Sequence, residues 1–182
     1  MSGERRIGWA DEMRVGLVST VRRVWAPRGV KVRQVVQMRR EWQYLNLAVD
    51  VRAGRLWWCW TDTMRGAELA GVVGGWQQEA DLEAVVWDGA PGHRSAEVAA
   101  FGFPRVIQPA YAPELNPAER VFEELRRAVE GRTYPTLAAK VAAITRELEQ
   151  FDADPRRVRR PVGWSWLIEA LEQLPAAQQR AA

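Results

Sequence analysis

Apolar and polar positions alternate along the chain in a way that predicts its elements. Ile7–Ala10 is a short apolar run that meets Asp11 and Glu12, and it predicts a strand ending in acids. Val15–Ser19, Gln34–Met38, Tyr44–Val51 and Leu56–Thr61 are rich in β-branched and aromatic residues and predict further strands. Arg52-Ala53-Gly54-Arg55 reads as the hairpin turn between the last two. From Thr63 to Ala80 the period becomes helical, weakened by Gly66, Gly71, Gly74 and Gly75. Ala84–Trp87 is a fully apolar strand stopping at Asp88, Ser95–Ala100 suits a short helix, and Arg105–Ile107 another brief strand. A proline-marked loop, Pro109 to Asn116, leads into a helix from Pro117 to Glu130, and an amphipathic helix follows over Thr136–Phe151. Asp152–Pro161 is polar and basic and reads as a linker, with a last helix over Trp164–Leu174. The expected division is a domain over residues 1–151 and a linker with a helical tail over 152–182.

Antiparallel strands first, then strands interleaved with helices, predict a mixed α/β sheet covered by helices. Acids at two strand ends and one helix start can then meet at one sheet edge. The chain's 182 residues, 47% hydrophobic and 27% charged, suffice for one core without staples, since a chain of this size buries roughly 70% of its unfolded surface. Cys59 and His93 are each the only residue of their kind, which excludes an intrachain disulfide, multi-cysteine zinc patterns and histidine-rich metal sites. No apolar run approaches the roughly 20 residues needed to cross a bilayer, and the opening residues do not resemble a signal peptide. A cytoplasmic, soluble protein with no membrane partner is the expectation.

Charge is unevenly spread. Residues 1–60 carry 12 basic and 5 acidic groups, whereas residues 61–100 carry 2 and 7. From Met13 to Arg40 there are eight basic residues and no acid: Arg14, Arg22, Arg23, Arg28, Lys31, Arg33, Arg39 and Arg40. Such a stretch favours a polyanion such as DNA or RNA, and the guanidinium fork suits phosphate. A solvated surface is the plainer alternative. Arg156, Arg157, Arg159 and Arg160 form a smaller second cluster.

Asp11, Asp88 and Glu119 are the candidate acids. Two-metal phosphoryl transfer needs carboxylates holding two hard cations, one at the attacking oxygen and one at the leaving oxygen. Magnesium is held through a few carboxylates plus substrate phosphates. Each acid also has a plainer reading. Asn116-Pro117-Ala118-Glu119 is nearly an ideal helix start, so Glu119 can be a capping carboxylate. Asp88 can be a turn residue, and Glu12 competes with Asp11 because alternation lets only one face a site. Asp50, ahead of Gly54, reads as a turn residue. His93 is open between contacting phosphate, steadying Asp88 and lying exposed in a loop, while Arg94 is a candidate for the DNA backbone. The ten tryptophans, Trp57, Trp58 and Trp60 among them, read mostly as core or interface.

The stretches Val85-Val86-Trp87-Asp88-Gly89-Ala90-Pro91-Gly92-His93 and Pro109-Ala110-Tyr111-Ala112-Pro113-Glu114-Leu115-Asn116-Pro117-Ala118-Glu119 resemble DDE transposases of bacterial insertion sequences allied to the mariner superfamily, in particular the insertion sequence six-thirty group. Asp11-Glu12, followed by Arg14 and Gly16, resembles that group's opening D-E-x-R-x-G. Ala112 and Gly89 stand where the group usually has serine and asparagine, and the interval from Asp88 to Glu119 is somewhat short. The resemblance spans residues 7–130 and implies a ribonuclease-H-like mixed five-stranded sheet with helices on both faces. It implies Asp11, Asp88 and Glu119 as catalytic ligands of two Mg²⁺ ions, with Mn²⁺ able to substitute, and it implies hydrolysis and strand transfer at transposon ends. DNA, at transposon ends and target, is the implied partner, contacted by Arg14, Arg22, Arg23, Arg28, Lys31, Arg33, His93 and Arg94, within a homo-oligomer. Because Asp11 lies so near the start, the expectation is a catalytic half lacking a helix-turn-helix domain, which an upstream reading frame would supply, or a truncated, inactive DNA-binding remnant.

Overall fold

The computed structural model describes residues 6–21, 23–79 and 82–173. Five strands, β1 (Ile7–Gly16), β2 (Trp42–Asp50), β3 (Arg55–Thr61), β4 (Ala84–Trp87) and β5 (Arg105–Ile107), form one sheet in the order β3-β2-β1-β4-β5. β2 is antiparallel to β1 and β3, while β4 runs parallel to β1 and to β5. This is the mixed five-stranded, ribonuclease-H-like arrangement that the motifs implied.

Alternation along β1 and β2 fills two cores. Trp9, Met13, Val15, Leu45, Leu47 and Val49 face α3 (Pro117–Val129), α4 (Leu137–Asp152), α5 (Pro155–Val162) and α6 (Ser165–Glu172). Ala10 and Ala48 point the other way, to α1 (Gly66–Gln78) and the single turn α2 (Ala96–Ala99). Their small side chains let α1 approach, and its Leu69, Val73 and Trp76 are buried against Val85 and Trp87. Helices therefore cover both faces. Among the described residues no helix is long and apolar enough to cross a membrane.

Three sequence expectations are corrected. The run Ile7–Ala10 does not stop at the acids: β1 continues to Gly16, absorbing the start of the second expected strand, because β2 pairs with it from Trp9 through Gly16. The described residues between 17 and 41 form no strand, so Gln34–Met38 is not one. They make an arm joined at its base by Leu17 N–H to the Glu41 carbonyl (3.0 Å) and Ser19 N–H to the Gln37 carbonyl (2.9 Å). The neighbouring Val35 and Val36 found no sheet edge there and stay exposed. The expected linker over Asp152–Pro161 contains α5 instead. Asp154 caps it, its carboxylate accepting from Arg156 N–H, Pro155 opens it, and Val158 and Val162, four apart, enter the larger core.

The hairpin turn is as expected. Asp50 accepts the Ala53 N–H at 2.9 Å, and Gly54 adopts φ +67°. A Cβ there would also come 2.5 Å from the Pro155 carbonyl oxygen, so glycine lets α5 close on the turn.

Candidate active site

The ladder between β1 and β4 ends at Trp9 opposite Val86. Asp11 and Asp88 each stand two positions beyond that last pair, Asp11 midway along β1 where its β4 neighbour has ended and Asp88 just past the carboxyl end of β4, the side of an open α/β sheet on which ligand crevices form. Alternation gives Asp11 the face of Trp9 and Met13, the face on which α3 lies. Asp11 and Glu12 lie on opposite faces, Glu12 turning away from α3 to meet Trp87.

Asn116 fixes the third acid relative to the first. It is 2% exposed, caps α3 by accepting from Ala118 N–H at 3.1 Å, and donates to the Ala10 carbonyl (3.0 Å) and Asp11 Oδ2 (3.2 Å). One buried amide thus joins the helix start to β1 beside Asp11. Glu119 does not close a capping box: the Asn116 N–H donates to the Pro113 carbonyl at 2.9 Å, and the Glu119 carboxylate faces Arg126 Nη1 at 3.5 Å. It stays a first-turn acid of α3 without the reciprocal bond of a capping box. Burial, with the charges of Glu12, Glu119 and Asp88, pushes the Asp11 carboxyl up to about 7, against the favourable Glu12 N–H bond at 2.8 Å. Asp11 therefore feels both other candidate acids. Each of the three is turned to a protein partner, and among the described residues no three carboxylate, histidine or cysteine side chains are grouped to hold an ion as they stand.

Beneath Asp88 lies His93, fully buried on the turn Pro91–Arg94. Its ring stacks on Trp87, with centroids 3.7 Å apart. Nδ1 is 3.2 Å from the Asp88 carbonyl and 2.6 Å from Asp88 Oδ1, while Nε2 is 3.0 Å from Glu12 Oε2. Each nitrogen faces a carboxylate oxygen. Burial alone disfavours a charged ring, yet Glu12 and Asp88 outweigh it and raise the His93 pKa. Glu12 is equally enclosed, its side chain 3% exposed and its Oε1 accepting the Trp87 Nε1–H at 2.9 Å.

His93 is thus corrected as a DNA contact: no phosphate can reach it, and of its three readings the structure keeps the one that steadies Asp88. Arg94, on the same turn, is exposed. Arg14 is exposed on β1 with its guanidinium 5.6 Å from the Trp42 ring centroid, and Arg23, Arg28, Lys31 and Arg33 are exposed along the arm. Arg22 lies outside the described residues. Sequence reasoning passed over Glu12 as a rival of Asp11 and saw Asn116 only as a cap. The signals were present, in an acid pair at a strand's end and an asparagine before the helix proline.

A five-stranded mixed sheet in the order β3-β2-β1-β4-β5, with helices on both faces, defines a ribonuclease-H-like domain. The sequence of the DDE superfamily endonucleases matches residues 6–139, and the chain belongs to that family. Among solved structures it is similar to the Mos1 transposase paired-end complex with left transposon end, at TM-score 0.66 and 16% identity, over 93% of this chain and 54% of that one. It is also similar to the catalytic domain of Mos1 mariner transposase, at TM-score 0.59 and 16% identity, over 93% and 80%. The Mos1 mariner paired-end complex with Mn gives TM-score 0.63 and 17% identity, over 92% and 54%. The chain spans about half the length of the longer Mos1 chains it matches. No curated protein sequence matches it.

Proposed function

We propose that this chain is the catalytic domain of a DNA transposase, in which Asp11, Asp88 and Glu119 hold two divalent ions, Mg²⁺ or Mn²⁺. The observation that carries the reading is that Asp11 lies near enough to both other acids to feel their charge: its carboxyl is raised to about 7 by burial, with Glu12, Glu119 and Asp88 adding to the rise. That surplus of negative charge suits hard cations with oxygen ligands. Similar Mos1 paired-end complexes have been solved with Mn and with Mg. Bound there, the ions would activate the attacking oxygen and stabilise the leaving one during phosphodiester hydrolysis and strand transfer.

The chain's own residues do the rest. Asn116 holds the start of α3 against β1 and so sets Glu119 beside Asp11. Arg126, now facing Glu119, must yield that carboxylate when an ion arrives. Arg14, Arg94 and the arm's Arg23, Arg28, Lys31 and Arg33 contact the phosphates of transposon-end and target DNA, a sequence-independent, salt-sensitive attraction. Residues 6–173 act as one unit, because α5 and α6 share the core of the larger sheet face. A second copy of the chain is the expected partner across paired ends, in the cytoplasm.

Metal-dependent nicking and strand transfer on end-bearing DNA test this. Asp88→Ala is expected to lower the rate about 1,000-fold, as removal of several kcal/mol of transition-state stabilisation would. Activity that survives the substitution overturns the assignment. A second reading, an inactive DNA-binding and assembly module, is favoured by the protein partners that each carboxylate now holds. Wild type and variant alike silent, yet binding DNA, would select it.

A further inference from the structure

The backbone ladder that joins β1 to β4 stops at Trp9 and Val86, before either candidate acid. Beyond that point a side-chain bridge takes over. Glu12, the neighbour of Asp11, reaches across to His93 (3.0 Å), and His93 touches Asp88 (2.6 Å). The bridge is anchored at both ends: Trp87 Nε1–H donates to Glu12 and its ring stacks on His93, while Arg105 donates to the His93 carbonyl. Asp88 itself lies past the end of a four-residue strand with its side chain 54% exposed, so little else fixes it besides the Ala90 N–H at 3.0 Å.

We propose that Glu12 and His93 are positioning residues: together they set the separation of Asp11 from Asp88 and the orientation of the Asp88 carboxylate toward its divalent ion.

An ion pair this enclosed is a poor way to gain stability, because desolvation consumes most of its Coulombic attraction and apolar packing of equal volume serves as well or better. Geometry is what it supplies. Its position, spanning two strands where their hydrogen bonds have ended, gives β1 and the loop after β4 one fixed relation at the site. Partners of this kind behind metal ligands commonly govern affinity by 10–100-fold.

The inference rests on the proposed reading of Asp88 as a metal ligand, and the test separates the two. Mn²⁺ binding to the full, DNA-free chain is followed by electron paramagnetic resonance for wild type, Asp88→Ala and Glu12→Gln, with folding checked by urea denaturation. Proton–nitrogen spectra report the ring of His93, whose signals are unambiguous because the chain has one histidine. Asp88→Ala should lose Mn²⁺ binding. Glu12→Gln, which preserves shape and an acceptor for Trp87, should stay folded, bind Mn²⁺ about 10–100-fold more weakly, and shift the ring signals of His93. Glu12→Gln within twofold of wild type, beside an Asp88→Ala that has lost binding, overturns the positioning role alone. Asp88→Ala binding no more weakly than wild type removes the metal reading and this inference with it. If Glu12→Gln does not fold, Trp87→Phe serves: it keeps the stack, deletes the N–H to Glu12, and should weaken Mn²⁺ several-fold, unchanged affinity being the contrary result.

Discussion

Two loops leave the carboxyl ends of neighbouring parallel strands, and they are built in opposite ways. The loop after β4 folds around a fully buried histidine, stacked on Trp87 and bound between Glu12 and Asp88. The arm after β1 displays its apolar residues instead: Trp25 is 104% exposed, Val35 75% and Val21 74%. Its base is tied down by the contacts of residues 17 and 19 with 41 and 37 and by Gln37 and Arg39 donating to the Tyr134 and Pro135 carbonyls. One buried polar anchor fixes a loop; abundant apolar residues without a partner surface do not. The division matches the chemistry asked of each. Carboxylates that share ions must be placed to fractions of an ångström, whereas cations that neutralise phosphates act through a diffuse field.

The sharpest way to break this comparison is His93→Ala. It leaves the Glu12 carboxylate buried and unpaired, and losing one partner of a buried pair costs about 3 kcal/mol or more. Urea denaturation should show that loss, together with faster amide exchange over residues 88–95. A change under 1 kcal/mol would mean that the loop is held by something other than its histidine.

Asp11→Asn comes next in size and acts in the opposite direction. The folded carboxyl titrates near 7, against about 3.9 in an unfolded chain. A raised acid is one whose charged form the fold disfavours. Its cost is absent below pH 4, grows between pH 4 and 7, and is complete above. The neutral amide escapes it. In the presence of a chelator Asp11→Asn should therefore be more stable at pH 8 by about 2 kcal/mol, roughly half the unscreened linkage energy because solvent still reaches the side chain. The gain should fade as pH falls toward 4; a gain that grew on acidification would contradict the burial argument.

How far the sequence went follows the same contrast. Where a segment carries its own signal, its pattern was enough: Ala84–Trp87 and Arg105–Ile107 are strands at the expected limits, though their ladder partners lie far off in the chain, and Pro117 opens α3 behind an asparagine cap. Where only the surroundings decide, the pattern misled. The β-branched pair Val35-Val36 in Gln34–Met38 imitates a strand but meets no sheet edge, and the arginines of α5 hide Val158 and Val162, whose apolar partners come from other elements. The acids were legible through their motifs. Glu12 was not, because an acid that reaches a histidine 81 positions away across two strands leaves no local signature.

The positive arm gives a smaller, graded effect. Replacing Lys31 or Arg33 with alanine should weaken DNA binding a few-fold regardless of sequence, and each should lower the slope of log affinity against log salt by about 1. The same test on Arg39 should show less, since its guanidinium is already engaged by Glu41 and the Pro135 carbonyl. Equal slopes for all variants would mean that the arm lies away from DNA.

Trp25→Ala is expected to change least, and for that reason it probes the comparison most directly. A tryptophan in a core loses 3–5 kcal/mol on truncation, but at 104% exposure Trp25 has no packing to forfeit. Its substitution should leave the stability of the DNA-free chain within 0.5 kcal/mol, the usual range for an exposed site. The measurement must be made at low protein concentration, because association of copies through the arm would add stability that scales with concentration. A loss above 1 kcal/mol that does not vary with concentration would place Trp25 against the body of the domain. The arm would then be a packed element like the loop after β4, and the contrast between the two would fail.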